Sequence, residues 1–179
     1  WNQDKYTKNK KGHPEGSIFW GDTGRLRNGK GSPYEGGYRL PCIARWPGKV
    51  PAGRKSDAVF ATIDFMPTFA KLCGFKIPDD RKIDGVDQTD LLLGKSEKGR
   101  DTFYFDRAGI RKGKWKYLKA DAHFYGYARE DDRPKEEELY NLKKDLEEKN
   151  NLAKKHPKIL NELRRLTESM PKDGPGGIR

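Results

Sequence analysis

The sequence predicts an α/β chain in which a buried strand and a helix come first, and short strands with a closing helix follow. Three observations predict it. An apolar run at 39–46 precedes helical periodicity at 59–73. Short aromatic and β-branched runs recur between 102 and 142. An amphipathic stripe occupies 157–170.

Taken in order, residues 1–16 read as polar loop and Ile18, Phe19 and Trp20 as a short apolar patch. Glycines at 21, 24, 29, 31, 36 and 37 exclude regular structure there and suit a loop whose backbone approaches something closely. Arg39 to Trp46 reads as a buried strand ended by a turn at Pro47-Gly48. The apolar positions from Val59 to Cys73 fit a helix, with Gly74 as its stop. Pro67 is tolerated only in a first turn, which puts the helix start near Thr62 or Asp64. Residues 76–101 read as loop with a short turn around Leu91–Leu93.

Thr102–Asp106, Ala108–Arg111, Lys114–Lys119 and Glu138–Leu142 are strand candidates, and Gly113 marks a hairpin between the second and third. Residues 120–137 read as charged loop. Ile159, Leu160, Leu163, Leu166 and Met170 share one face of a helix opened by Pro157. The tail 171–179 is expected to be disordered.

Composition sets bounds on function. With 179 residues the chain suffices for a domain or a domain and a half. A mean hydropathy of −1.06 is low, but four Trp, eight Tyr and eight Phe can close a modest core. No apolar run approaches the roughly 20 residues that cross a bilayer. No signal peptide is visible, and the first residue is Trp1, so the natural start and any targeting segment are expected to lie outside this sequence. Cys42 and Cys73 are too few for a disulfide framework or a four-thiolate zinc site. The net charge of +11 is concentrated: residues 1–55 carry twelve Lys and Arg against four Asp and Glu. Such a field favours anionic ligands.

Gly24 to Ser32 comes close to a phosphate-binding P-loop, yet Gly31 stands where the Mg²⁺-binding hydroxyl is needed. The next residues, from Pro33 to Gly37, do not suit the helix start that would hold the phosphates, so a nucleotide hydrolase is excluded. What remains is Lys30 between Gly29 and Gly31: a compact, little-shielded ammonium able to reach a tetrahedral oxyanion.

The segment from Leu26 to Pro41, followed by Trp46-Pro47-Gly48, resembles the second signature of type I sulfatases, the arylsulfatase A-like branch of the alkaline phosphatase superfamily. Four further blocks are similar to that family in order and spacing. They are Asp64-Phe65-Met66-Pro67-Thr68, Asp84-Gly85-Val86-Asp87, Ile110 to Tyr117, and Glu138-Leu139-Tyr140-Asn141-Leu142 with Glu148, Asn151, Leu152 and Ala153. Asn141 and Leu146 depart mildly from it, standing where Asp and Pro are usual.

The resemblance implies the C-terminal part of a sulfatase-type α/β sandwich over 1–98. Over 99–170 it implies a small α+β subdomain with a four-stranded antiparallel sheet and a packed helix. It also implies hydrolysis of sulfate esters by a formylglycine nucleophile with a calcium ion. Lys30 matches the sulfate-contacting lysine and is the catalytic and substrate-binding residue expected here, with His13 a further candidate for the substrate pocket. The nucleophile motif and the metal-binding acidic pairs have no counterpart, so no metal ligand is expected in this stretch, and it is expected to be inactive alone.

Asp22, Arg25 and Arg27 are expected to be solvated, and Glu35 and Arg39 to hold the loop against the sheet. Asp84 and Asp87 are expected to form a turn, because two carboxylates are too few for calcium. Trp115 and Tyr117 are expected to pack in the core. The substrate implied is a sulfated small molecule or polysaccharide, with no nucleic-acid partner and no membrane segment. A periplasmic or secreted location is expected from the family. The alternatives are a phosphodiesterase or phosphonate hydrolase of the same superfamily, and a basic module binding anionic polysaccharide or nucleic acid.

Overall fold

The computed structural model describes residues 23–122 and 133–170. His13, Asp22, the 18–20 patch and the 171–179 tail lie outside the described residues, as do 123–132 of the charged loop.

Four strands, β1 (Thr102–Tyr104), β2 (Gly109–Lys112), β3 (Trp115–Leu118) and β4 (Glu138–Asn141), form one antiparallel sheet in sequence order. Gly113 takes φ 54° at the β2–β3 turn, where a two-residue hairpin needs a left-handed residue. The register sorts the side chains into two faces. Tyr104, Ile110, Tyr117 and Leu139 pair across the sheet on one side. Phe103, Arg111, Lys116 and Tyr140 pair on the other.

Helix α4 (Pro157–Glu168) covers the first face. Its stripe of Leu160 and Leu163, with Ile159 and Leu166 alongside, meets Ile110, Tyr117 and Leu139. Burying each of these large side chains contributes about 2 kcal/mol. Glu137 ties sheet to helix by accepting from the Tyr117 hydroxyl (2.6 Å) and from Arg164 Nε (2.7 Å).

The second face is covered by the glycine-rich segment. Residues 23–34 form successive turns that lead into a single helical turn, α1 (Glu35–Tyr38). Tyr34 packs with Leu118, Tyr140 and Leu142. Tyr38 packs edge-on against Phe105, with ring centroids 4.8 Å apart. The sheet is therefore the middle layer of three. Both its faces are covered, which is why large apolar residues stand at neighbouring strand positions, as in Phe103-Tyr104 and Leu139-Tyr140.

The helix expected at 59–73 is present as a 3₁₀ turn at Thr62–Asp64 running into α2 (Phe65–Leu72), so Pro67 does fall in the first turn. It ends as Gly74 predicts: Gly74 has φ 73°, its N–H reaches Lys71 O, and the Phe75 N–H reaches Ala70 O. The turn expected near Leu91 is one helical turn, α3 (Thr89–Leu92).

The strand expected at 39–46 is not formed. Those residues have no ladder, and Ile43 is 94% exposed. A strand needs a neighbour for its N–H and C=O groups, and the described residues offer none. The turn after it is present, with the Lys49 and Val50 N–H groups both on Trp46 O.

Candidate functional site

Lys30 lies exposed in the turn at the tip of the glycine-rich loop. Asn28 (φ 55°) and Gly31 (φ 92°) both adopt left-handed backbone beside it, and the Ser32 N–H closes the turn on Gly29 O (3.1 Å). Below the tip the loop is pinched, with the Gly36 N–H donating to Arg27 O (3.0 Å). The pinch needs glycine: a Cβ on Gly36 would lie 2.1 Å from Asn28 O, which is backbone and cannot swing aside. Gly36→Ala is therefore expected to destabilise the protein by about 2 kcal/mol, as overpacked sites do. A thermal midpoint equal to wild type would contradict the pinch.

Both sides of the pinch are fastened to the sheet. Arg27 Nη1 donates to the Tyr140 hydroxyl (2.8 Å) and to Glu148 O (3.0 Å), and its guanidinium lies 3.7 Å from the centre of the Tyr34 ring. The Tyr34 hydroxyl donates to Glu138 Oε2 (2.9 Å), and burial together with that carboxylate raises its pKa. The Glu35 N–H donates to Glu148 Oε2 (2.7 Å). Lys116 Nζ lies 3.0 Å from Glu35 Oε1 and 2.9 Å from Glu148 Oε1.

The two carboxylates shift in opposite directions. Burial pushes Glu35 up, but Lys116, helped by Arg39 and Arg111, outweighs it and holds the group below the usual carboxylate range. Burial also pushes Glu148 up, and the Glu35 charge adds to it. Lys116 offsets only part, so Glu148 sits above the usual range.

Glu35 holds the loop against the sheet as expected, through Lys116 of β3, whereas Arg39 is exposed and bonds Glu35 within the loop segment itself, its Nη2 at 3.2 Å from Glu35 Oε2. Arg25 is exposed, also as expected. Arg27 corrects the sequence reading: it is half-buried and anchors the loop, because Tyr140 and Glu148 O meet it from the sheet side and the Tyr34 ring of the loop packs over it. Tyr117 is buried and Trp115 packs against the same cluster.

Asp87 makes a turn: its Oδ1 accepts from the Thr89 N–H (2.9 Å) and its Oδ2 pairs with Lys71 (2.6 Å). Asp64 is fully buried and accepts from the Ala61 N–H (2.9 Å), the Val86 N–H (2.8 Å) and Arg100. Among the described residues no group of three or more His, Cys, Asp or Glu could hold a metal ion. Asp87, already committed to Lys71 and Thr89, does not fit a calcium site.

Arg27, Lys116 and Glu148 are the residues that sequence reasoning did not assign to the loop's support. One signal was available for Lys116. It sits between Trp115 and Tyr117, so strand alternation places it on the face opposite the helix, where a charge has to find a partner.

The family model described as "N-sulphoglucosamine sulphohydrolase, C-terminal" matches residues 29–173. The chain is 35% identical over 175 residues to an N-acetylgalactosamine-6-O-sulfatase of Bacteroides thetaiotaomicron, covering 94% of this chain and 33% of that protein. It is 44% identical over 91 residues to human steryl-sulfatase, covering 51% of this chain and 16% of that one. A solved structure from work on the metabolism of multiple glycosaminoglycans by Bacteroides thetaiotaomicron superposes with a TM-score of 0.68 at 35% identity. That match covers 81% of this chain and 32% of the other. The chain thus spans about a third of the length of the bacterial relative it matches.

Proposed function

The chain belongs to the family of the N-sulphoglucosamine sulphohydrolase C-terminal region, and on that footing we propose that it is the C-terminal part of a sulfuric ester hydrolase acting on a sulfated glycan. The observation that carries this reading is the Lys30 loop: an exposed ammonium at the tip of a turn whose base is fastened to a buried sheet by Arg27, Tyr34 and Glu35. In the proposal Lys30 binds the sulfate oxygens and neutralises charge that builds there as the ester bond breaks. A group held ready needs little reorganisation at that moment, which is the source of its effect.

The calcium that such an enzyme uses finds no fitting residue set among the described ones. In this reading the formylglycine and the calcium both belong to the rest of a longer protein. His13 stays a proposed pocket residue. The unit boundaries at 98 and 170 and the periplasmic or secreted location belong to the same reading. A sulfated sugar is favoured over a steroid because the amino-sugar sulfatase aligns with 94% of the chain and the steryl-sulfatase with 51%. Sulfate is favoured over phosphate because these relatives are sulfatases.

The test is release of sulfate from 6-O-sulfated N-acetylgalactosamine. A full-length protein carrying this chain is expected to turn it over, and the 179 residues alone are not. Hydrolysis of phosphodiesters but not sulfate esters by the full-length protein would overturn the reading. So would metal-dependent sulfate release by the isolated chain.

A further inference from the structure

We propose that Lys116 is a positioning residue for Lys30: buried in the sheet, it joins Glu35 of the loop to Glu148 of the turn after β4 and so keeps the loop tip in one place. This rests on the reading of Lys30 as the sulfate-binding group.

The three side chains are almost wholly buried and carry one positive and two negative charges. Buried charges persist only when paired, and here a single ammonium serves two carboxylates. The carboxylates come from different parts of the chain, and each has a second task. Glu148 Oε2 accepts the Glu35 N–H, which fastens the loop backbone (2.7 Å). Glu35 Oε2 faces Arg39 (3.2 Å), and Arg111 of β2 acts on the same carboxylate from the sheet. Under the ammonium lies the Phe105 ring, 4.3 Å from Nζ, which favours a cation at that spot.

Without Lys116, Glu35 and Glu148 face each other as like charges away from water. Such a pair either keeps a proton or separates. Separation pulls the Glu35 N–H from Glu148. The next residue is Gly36, whose N–H closes the pinch on Arg27 O, and Lys30 hangs beyond that pinch. Loss of the lysine therefore reaches the loop tip through two hydrogen bonds, and it does so in a pH-dependent way.

The experiment measures hydrogen exchange of the Gly36 amide, relative to wild type at each pH, in the full-length protein. In Lys116→Met the protection of Gly36 is expected to fall at least about tenfold near neutral pH and to recover at mildly acid pH, when the pair takes up a proton. Lys116→Met with Glu148→Gln, which removes the like charge and keeps an acceptor, is expected to restore it. In parallel, kcat of Lys116→Met on the sulfate ester is expected to drop by about 10²-fold near neutral pH and to rise again on acidification.

A merely structural lysine would lower stability without the acid recovery or the rescue, and that result overturns the proposal. Should Lys116→Met not fold, Glu148→Leu leaves Lys116 balanced by Glu35 and is expected to release Gly36; unchanged protection there overturns it equally. If the pinch opens in Lys116→Met but Lys30→Ala turns over sulfate ester at the wild-type rate, the sulfate reading fails and the coupling stands. If Lys30→Ala is impaired while Lys116→Met keeps wild-type exchange and pH profile, the coupling fails and the sulfate reading stands.

Discussion

Lys30→Ala in a full-length protein carrying this chain is expected to lower kcat/KM for a sulfate ester by about 10²- to 10³-fold, the usual loss when one preorganised charge-stabilising donor is removed. Stability is expected to change by no more than about 0.5 kcal/mol, because Lys30 is exposed at a turn and its removal opens no cavity. The separation of the two effects makes the measurement decisive. A residue that only shaped the loop would lower the thermal midpoint along with the rate. Lys30→Arg is expected to recover only part of the loss, since a planar guanidinium presents its donors differently from a compact ammonium. Steady-state sulfate release, read with a melting curve, checks both. A kcat/KM within twofold of wild type for Lys30→Ala would remove the lysine from the site.

The largest loss of stability is expected from Asp64→Ala. Asp64 is 0% exposed and takes donors from three directions: the Ala61 N–H at the helix start, the Val86 N–H of the following loop, and Arg100 just before β1. Arg100 also donates to Asp84 O (2.9 Å), so one carboxylate organises the approach to the sheet. Removing it orphans the buried Ala61 N–H, frees the part-buried Val86 N–H, and leaves the Arg100 guanidinium with Asp84 O but no carboxylate. Breaking a buried pair from one side costs about 3 kcal/mol or more, a fall of roughly 10 °C in thermal midpoint for a unit of this size.

The pH dependence has a definite sign. Burial alone would raise the Asp64 carboxyl, but the Arg100 bond and the two backbone N–H groups outweigh it and hold it below the usual range. Its contribution is complete above the unfolded carboxyl value of about 3.9 and is lost as the pH falls through the lower folded value. Asp64→Ala is expected to lose that part of the acid sensitivity, which melting curves between about pH 2 and pH 5 would reveal. Parallel curves for variant and wild type over that interval would contradict the role.

Much of the fold was legible in the sequence because it is local. Pro67 limits where its helix begins, Gly74 supplies the left-handed residue that ends it, and Gly113 does the same for the hairpin. The stripe after Pro157 needs only a period of 3.6 to be seen. The 39–46 segment shows where this fails. Its apolar residues promise a strand, but a strand exists only with a neighbour, and periodicity carries no information about the neighbour. The candidate loop was legible in the same partial way. Lys30 stands out by its flanking glycines, whereas Arg27 reads as a surface residue until Tyr140 and Tyr34 are seen around it.

Taken alone, the amino-acid order determined where helices and hairpin begin and end, which lysine lies on a turn, and, through five spaced motifs, the sulfatase family. Backbone preference and side-chain period act over a few residues, so a linear reading captures them. Only the tertiary structure decided that Lys116 meets Glu35 and that the Glu35 N–H meets Glu148, across separations of 81 and 113 residues. The partner that keeps a buried charge ionised is chosen by packing, and packing depends on the whole fold.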